Sequence, residues 1–266
     1  MPIAANAGTV GPPSLVLWAR EAAAWLELGT YLVSVPWWRL APRGDGHPVL
    51  VLPGLIQSDL STQPLRAFLR ARGYVANGWG LRRNTGRSGL VDESLLQRLH
   101  TLRARHGRKV SLIGWSVGGL FARDLARQAP EAVRQVITLG SPFAGPATAS
   151  NAWRLYETMS GDRAGDPEVV KRFRGRLMVP TTSIYSRRDG IVAWQCCIND
   201  PGPQVENIAV TSTHCGMGHH PAVLYAVADR LAQPEGRWTP FAPPTVARWM
   251  YPMQAWQPKP HRRKTQ

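Results

Sequence analysis

Cysteine is scarce in this chain, with three in 266 residues, at positions 196, 197 and 215. They are too few and too unevenly spaced for a disulfide framework or for a zinc site of known ligand spacing. Acidic residues are also few, 17 against 32 lysines and arginines, which leaves a formal charge of +15. Such an excess attracts nucleic acid or anionic membrane surfaces. No helix-turn-helix, zinc-finger or RNA-binding signature accompanies it, however. The arginines are scattered among apolar residues, as in "RAFLRARGY" and "LQRLHTLRARHGRK", the pattern of the solvent faces of amphipathic helices. No nucleic-acid partner is expected. The chain also lacks a long uninterrupted apolar run. Its start, "MPIAANAGTVGPPSLVLWAR", has no basic leader, and "AAAWLELGTYLVSVPWW" is interrupted by Glu27 and Pro36, which makes it short for a membrane span. A soluble, cytoplasmic protein is the expectation. Trp18, Trp25, Trp37 and Trp38 leave this stretch two readings, a helix packed on the core or a segment in peripheral contact with a membrane. The first is preferred.

What is present is a globular composition, 44% hydrophobic and 18% charged, sufficient for a core in one large domain. After the break "APRGDGHP", the run "VLVLPG" reads as a buried parallel strand. "STQPLRAFLRARG" is a helix stopped by Gly73, and "YVANGWG", "KVSLIGWS", "VRQVITLGSP", "MVPTTSIYSRRDG" and "VENIAVTSTH" are further strands. The segments "SLLQRLHTLRARHG", "GGLFARDLARQAP" and "PAVLYAVADRLAQP" carry helical periodicity between or after them. Strands separated by helices predict an α/β fold, with a mostly parallel sheet covered on both faces. The expected organisation is an N-terminal helical segment over 1–46 and an α/β domain over 47–233. An insertion at about 141–177 is a candidate lid, and a Pro/Trp-rich extension with a basic end occupies 234–266.

The chemistry centres on Gly114-Trp115-Ser116-Val117-Gly118. A strand leads into Ser116 and a helix follows at once, the context in which a GxSxG serine sits on a sharp turn as a nucleophile. A serine hydroxyl needs a base, and the base needs a carboxylate to orient it. In the order serine, acid, histidine, Asp189 follows the strand "TTSIYS" and His214 follows "ENIAVTS". Both strands end at the edge where active-site groups collect. Asp92, Asp124 and Asp200 compete less well with Asp189, as do His219 and His220 with His214, because none leaves a strand end directly. The oxyanion donors expected are the N–H groups of Val117 and of Leu55, in the loop "VLPGLIQSD", where Gly54 permits close approach. Trp115, Gly54 and Phe143 are expected to contact an apolar acyl group.

Taken in order, "VLVLPGLIQSDLST", "GWGLRRNTG", "GWSVGG", "RRDGIVAW" and "THCGMGHHPAVLYAVADRL" resemble a bacterial α/β-hydrolase of the esterase/lipase type over roughly residues 48–233. The resemblance implies hydrolysis of a small-molecule or lipid ester through an acyl-enzyme, with Ser116, Asp189 and His214 as the triad and no cofactor or metal. Acyl transfer and thioester hydrolysis use the same triad and stay open, as does a non-catalytic, membrane-associated hydrolase scaffold. The oxyanion loop opens with Pro53-Gly54, where many lipases have His-Gly. With this layout, a disulfide between Cys215 and Cys196 or Cys197 would tie the two triad loops, and free buried thiols are the alternative.

Overall fold

The structure is a computed structural model that describes residues 10–87, 90–161, 163 and 173–252. Six strands, β1 (Pro48–Leu52), β2 (Val75–Gly78), β3 (Val110–Trp115), β4 (Val133–Leu139), β5 (Thr181–Ser186) and β6 (Val205–Val210), form one sheet in the order β2-β1-β3-β4-β5-β6. Every pairing is parallel. Strands β1, β3, β4 and β5 are buried along their whole length, which is why they read as continuous apolar runs rather than alternating ones.

The period of two sorts their side chains between two cores. Val49, Val51, Ile113, Ile137 and Ile184 face one core, against α3 (Gln63–Ala71) and α7 (Pro221–Ala232). Leu50, Leu52, Leu112 and Val136 face the other, against α4 (Leu90–His106) and α5 (Val117–Gln128). Because β1 pairs with β2 on one side and β3 on the other, the chain reverses its winding direction there. The crevice at the carboxyl ends of β1 and β3 is therefore the place where an open parallel sheet binds ligands.

Three attachments complete the frame. The insertion after β4 contains α6 (Trp153–Ser160) and is pinned to the loop after β5 by an antiparallel bridge between Ser150 and Val192. Residues 164–172 of the expected lid lie outside the described residues. The C-terminal extension follows α7 back over the core, where Phe241 N–H donates to Glu206 and the Tyr251 hydroxyl to the Ala222 carbonyl. Its basic end, from residue 253 on, lies outside the described residues. The N-terminal segment forms α1 (Leu15–Arg20), α2 (Ala24–Ser34) and a 3-10 turn over Val35–Leu40. Leu28, Tyr31 and Trp38 pack on the first core, while the opposite side of the same segment is open to solvent.

Candidate active site

Ser116 stands at the junction of β3 and α5 with φ 53° and ψ −123°, a conformation that L-residues rarely adopt and that clusters at functional sites. The sequence explains how the turn is held. A Cβ on Gly118 would run into the carbonyl oxygens of Leu52 and Pro53, and one on Gly114 into the backbone of Gly119. Only glycine lets α5 start this close to the sheet. Val117 is the first helical residue, so its N–H has no place in the intrahelical ladder.

The loop after β1 meets this turn from the other side. A Cβ on Gly54 would lie 3.3 Å from Ser116 Cβ, so a side chain there would crowd the serine and glycine leaves the approach open. Around Leu55 the backbone is fixed on both flanks. Gly54 N–H donates to Gln57 Oε1 at 3.0 Å, and Ile56 N–H donates to the Asn84 carbonyl at 2.6 Å. Ile56 has φ 57°, a genuine departure for a β-branched side chain. Fully buried Asn84 closes the lock, since its amide donates to the Pro53 carbonyl at 2.8 Å. Sequence reasoning found Gly54 and Leu55 but not Asn84 or Ile56. The one available signal was an asparagine with a following glycine in "RNTG", which reads as an ordinary turn.

Asp189 and His214 come together at the ends of β5 and β6. Asp189 Oδ2 lies 2.6 Å from His214 Nδ1, while Asp189 Oδ1 accepts from Ile191 N–H at 2.9 Å and Val192 N–H at 2.7 Å. Both side chains are almost fully buried. A Cβ on Gly140, the residue after β4, would stand 3.1 Å from each, so the pair is packed against the sheet edge. Burial alone would lower the His214 pKa, but the Asp189 charge, its hydrogen bond and the charge on Glu21 outweigh it and raise it.

The alternatives are occupied elsewhere. Asp124 accepts from Gln128 on its own helix at 2.8 Å, and Asp200 is exposed. The Asp92 side chain lies outside the described residues. His220 caps α7 by accepting from Ala222 N–H, and His219 contacts the Ala24 carbonyl. Burial lowers the pKa of both, that of His220 to about 4. All three cysteines are free thiols, Cys196 and Cys197 buried and Cys215 exposed. The bridge between triad loops is absent.

An apolar cavity opens beside Ser116, lined by Leu55, Val117, Leu120, Phe143, Trp153, Tyr156 and Phe173 among others. The insertion supplies several of these, Phe143, Trp153, Tyr156 and Phe173 among them. Arg123 and Arg127 of α5 hold the insertion's far end, donating to the carbonyls of Phe173, Arg174 and Gly175, and the Arg123 guanidinium stacks on Phe143 at 3.9 Å. Trp115 requires a correction, because it does not line this cavity. Alternation along β3 turns its ring into the opposite core, and its indole N–H donates to the His214 carbonyl at 3.1 Å. It holds the histidine loop instead of contacting an acyl group.

The same loop is held from outside by two residues that sequence reasoning did not select. Glu21, just after α1, accepts from Gly190 N–H at 2.7 Å and His214 N–H at 2.9 Å through Oε1, and from Cys215 N–H at 2.8 Å through Oε2. Glu27 on α2 accepts from Thr213 N–H and the Ser212 hydroxyl, each at 2.8 Å. Burial pushes the Glu27 pKa up, against these hydrogen bonds. The N-terminal segment is thus stapled by carboxylates to both loops that carry Asp189 and His214.

Comparison with known proteins adds independent findings. The family model described as palmitoyl protein thioesterase matches residues 50–186, just over half of the chain. Triacylglycerol lipases from Pseudarthrobacter phenanthrenivorans and Burkholderia plantarii are each 39% identical to it over 103 residues. The match covers 39% of this chain and 30% and 27% of those lipases, so it spans less than a third of the length of these curated relatives. Among solved structures, Aspergillus fumigatus lipase B superposes with a TM-score of 0.54 at 20% identity, covering 71% of this chain and 52% of that one. Bacillus licheniformis lipase BlEst2 gives 0.54 at 16% identity, covering 72% and 94%. At these identities the structural likeness concerns the fold.

Proposed function

Since the chain belongs to the palmitoyl protein thioesterase family and has the α/β-hydrolase fold, we propose that it is a serine hydrolase cleaving carboxylic esters of apolar acyl groups. The observation that carries this reading is the 2.6 Å Asp189–His214 contact, packed on Gly140 after β4, together with a serine held at φ 53° in a GxSxG turn, its N–H donating to the Leu139 carbonyl at the end of that strand. Ser116 Oγ attacks the ester carbonyl carbon while His214 Nε2 takes its proton. The carbonyl oxygen, now negative, accepts from the N–H groups of Leu55 and Val117, donors already fixed in place and so needing no reorganisation. When the intermediate collapses, the C–O bond to the alcohol breaks and His214 returns the proton to the leaving alkoxide. Water, deprotonated by His214, then releases the acid and restores Ser116. Phe143 and the other cavity residues receive the acyl chain, and Gly54 leaves room for its carbonyl. The family match favours a second reading, in which the leaving group is a thiol and the bond cleaved is a thioester. Access to lipid substrate through peripheral contact with a membrane belongs to either reading.

The test is a panel of p-nitrophenyl esters and matched acyl thioesters of graded chain length, together with labelling by a fluorophosphonate. The expected results are turnover that improves from acetyl to medium-chain acyl groups and one phosphonate adduct on the peptide containing Ser116. An unlabelled Ser116 with no turnover of any member would reject the hydrolase. Preference for thioesters at equal chain length would select the second reading.

Glu21 is a positioning residue in this scheme, acting through the His214 loop. Glu21→Gln removes the negative charge that helps raise the His214 pKa and sets an amide NH2 against backbone donors. The expected result is a fall in kcat of about tenfold or more, as for modest misplacement of a reacting group. The acid limb of the kcat/KM profile should move to lower pH. A purely structural role would lower the unfolding temperature and leave that limb where it was.

A further inference from the structure

We propose that the outer face of residues 15–40 is a docking surface for a phospholipid bilayer containing anionic lipid. The argument begins with α2, which is apolar on two sides. Leu28 and Tyr31 pack inward, and Trp25, Leu26, Leu32 and Val33 point outward with 64–79% of their surface exposed. A helix apolar all round is ordinarily covered all round. The exposed stripe continues past the helix through Trp37 and Leu40, so it is a contiguous patch rather than the scattered single residues that any surface carries.

Charge selects the occupant. The only acidic residues between positions 15 and 40 are Glu21 and Glu27, and both are used inward on the loops of Asp189 and His214. Arg20 and Arg39 remain exposed at either end of the stripe. The surface is therefore apolar, tryptophan-bearing and flanked by cations, the composition of a segment lying in a bilayer interface. No helix among the described residues is long and apolar enough to cross a membrane. A second copy is a poorer partner, because joining two such faces brings arginines toward arginines in chains already carrying +15. The docked segment would set the candidate site against the lipid, since its inner side holds that site's loops. That consequence rests on the proposed hydrolase, but the docking does not.

Docking is measured without turnover, by co-sedimentation of the full chain with phosphatidylcholine vesicles in which about one-third of the lipid is phosphatidylglycerol. Wild type is expected to bind, more weakly as salt rises and more weakly still to pure phosphatidylcholine. The triple variant Trp25→Gln, Leu26→Gln, Trp37→Gln should lose at least about tenfold in partitioning, with its cleavage of a water-soluble short-chain ester unchanged. Ser116→Ala should bind like wild type, so that a failed hydrolase and a failed docking surface give different results. If the triple variant does not fold, quenching of wild-type tryptophan fluorescence by brominated lipid provides the same information. Absence of wild-type binding and quenching, or equal binding by the folded variant, overturns the proposal. So does a dimer in light scattering that the variant dissolves while vesicles bind neither protein.

Discussion

Ser116→Ala is expected to lower kcat by about 10⁴- to 10⁶-fold, with KM for a short-chain ester changed little. The substitution removes the attacking oxygen and nothing else that positions substrate. The proposed donors at Leu55 and Val117 are backbone N–H groups, the apolar lining of the cavity comes from Leu55, Leu120, Phe143 and their neighbours beside Ser116, and the Asp189–His214 pair keeps its 2.6 Å contact. An interaction made only on the way to the transition state is lost, so the effect falls on kcat rather than on binding. The fold should survive. Ser116 is held at φ 53° by backbone bonds, with its N–H donating to the Leu139 carbonyl and its carbonyl accepting from Gly119 N–H, and alanine keeps both. The measurement is steady-state kinetics on p-nitrophenyl esters beside a thermal melt. Residual turnover within about a hundredfold of wild type, in a protein of unchanged stability, would remove Ser116 from the nucleophile's role.

The parts of this site that were legible in the sequence share one property, in that each is determined by its immediate neighbours. β3 is an apolar run that ends at a glycine-flanked serine and is followed by helical periodicity, so strand, turn and helix can be read within twenty residues. Asp189 and His214 follow their strands directly, and a parallel sheet brings strand ends to one edge. The parts that were not legible depend on contacts between distant segments. Glu21 meets His214 across 193 positions and Glu27 meets Thr213 across 186, and neither carries a local signal beyond a charge in an apolar helix. Asn84 looks like a turn residue until the loop after β1 is placed against it. Trp115 departs from its expected place for a related reason. Its neighbour Ser116 points to the crevice, but alternation along a strand sends successive side chains to opposite faces, and proximity in sequence is separation in space. From its sequence the N-terminal segment reads as either core-packed or membrane-facing, yet one helix can present an apolar stripe on each of two sides. Its inner stripe packs on the core and its outer stripe does not.

Asp189→Asn tests the other half of the machinery and should reduce kcat by about 10⁴-fold at neutral pH. The reason is the direction of hydrogen bonds. Asp189 Oδ1 accepts from the N–H groups of Ile191 and Val192, which fixes the asparagine carbonyl at that position, because a flipped amide would set its NH2 against two donors. The amide NH2 then faces His214 Nδ1, which must accept. Its proton moves to Nε2, and the nitrogen facing Ser116 can no longer act as a base. The pH profile carries a second signature with a definite sign. In wild type the His214 pKa is raised above the ordinary imidazole value, with Asp189 overcoming the opposing effect of burial. Activity needs the neutral imidazole, so it rises with pH through this raised value and is lost below it. Without the carboxylate, burial acts against only the Glu21 charge, and the acid limb of kcat/KM moves to lower pH in what activity remains. Profiles from about pH 5 to 9 for wild type and Asp189→Asn measure both effects at once. Because Glu21→Gln removes a smaller contribution to the same pKa, its limb should fall between the two. A variant within tenfold of wild type, or a limb that does not move, would mean that Asp189 holds the loop through Ile191 and Val192 without serving the histidine.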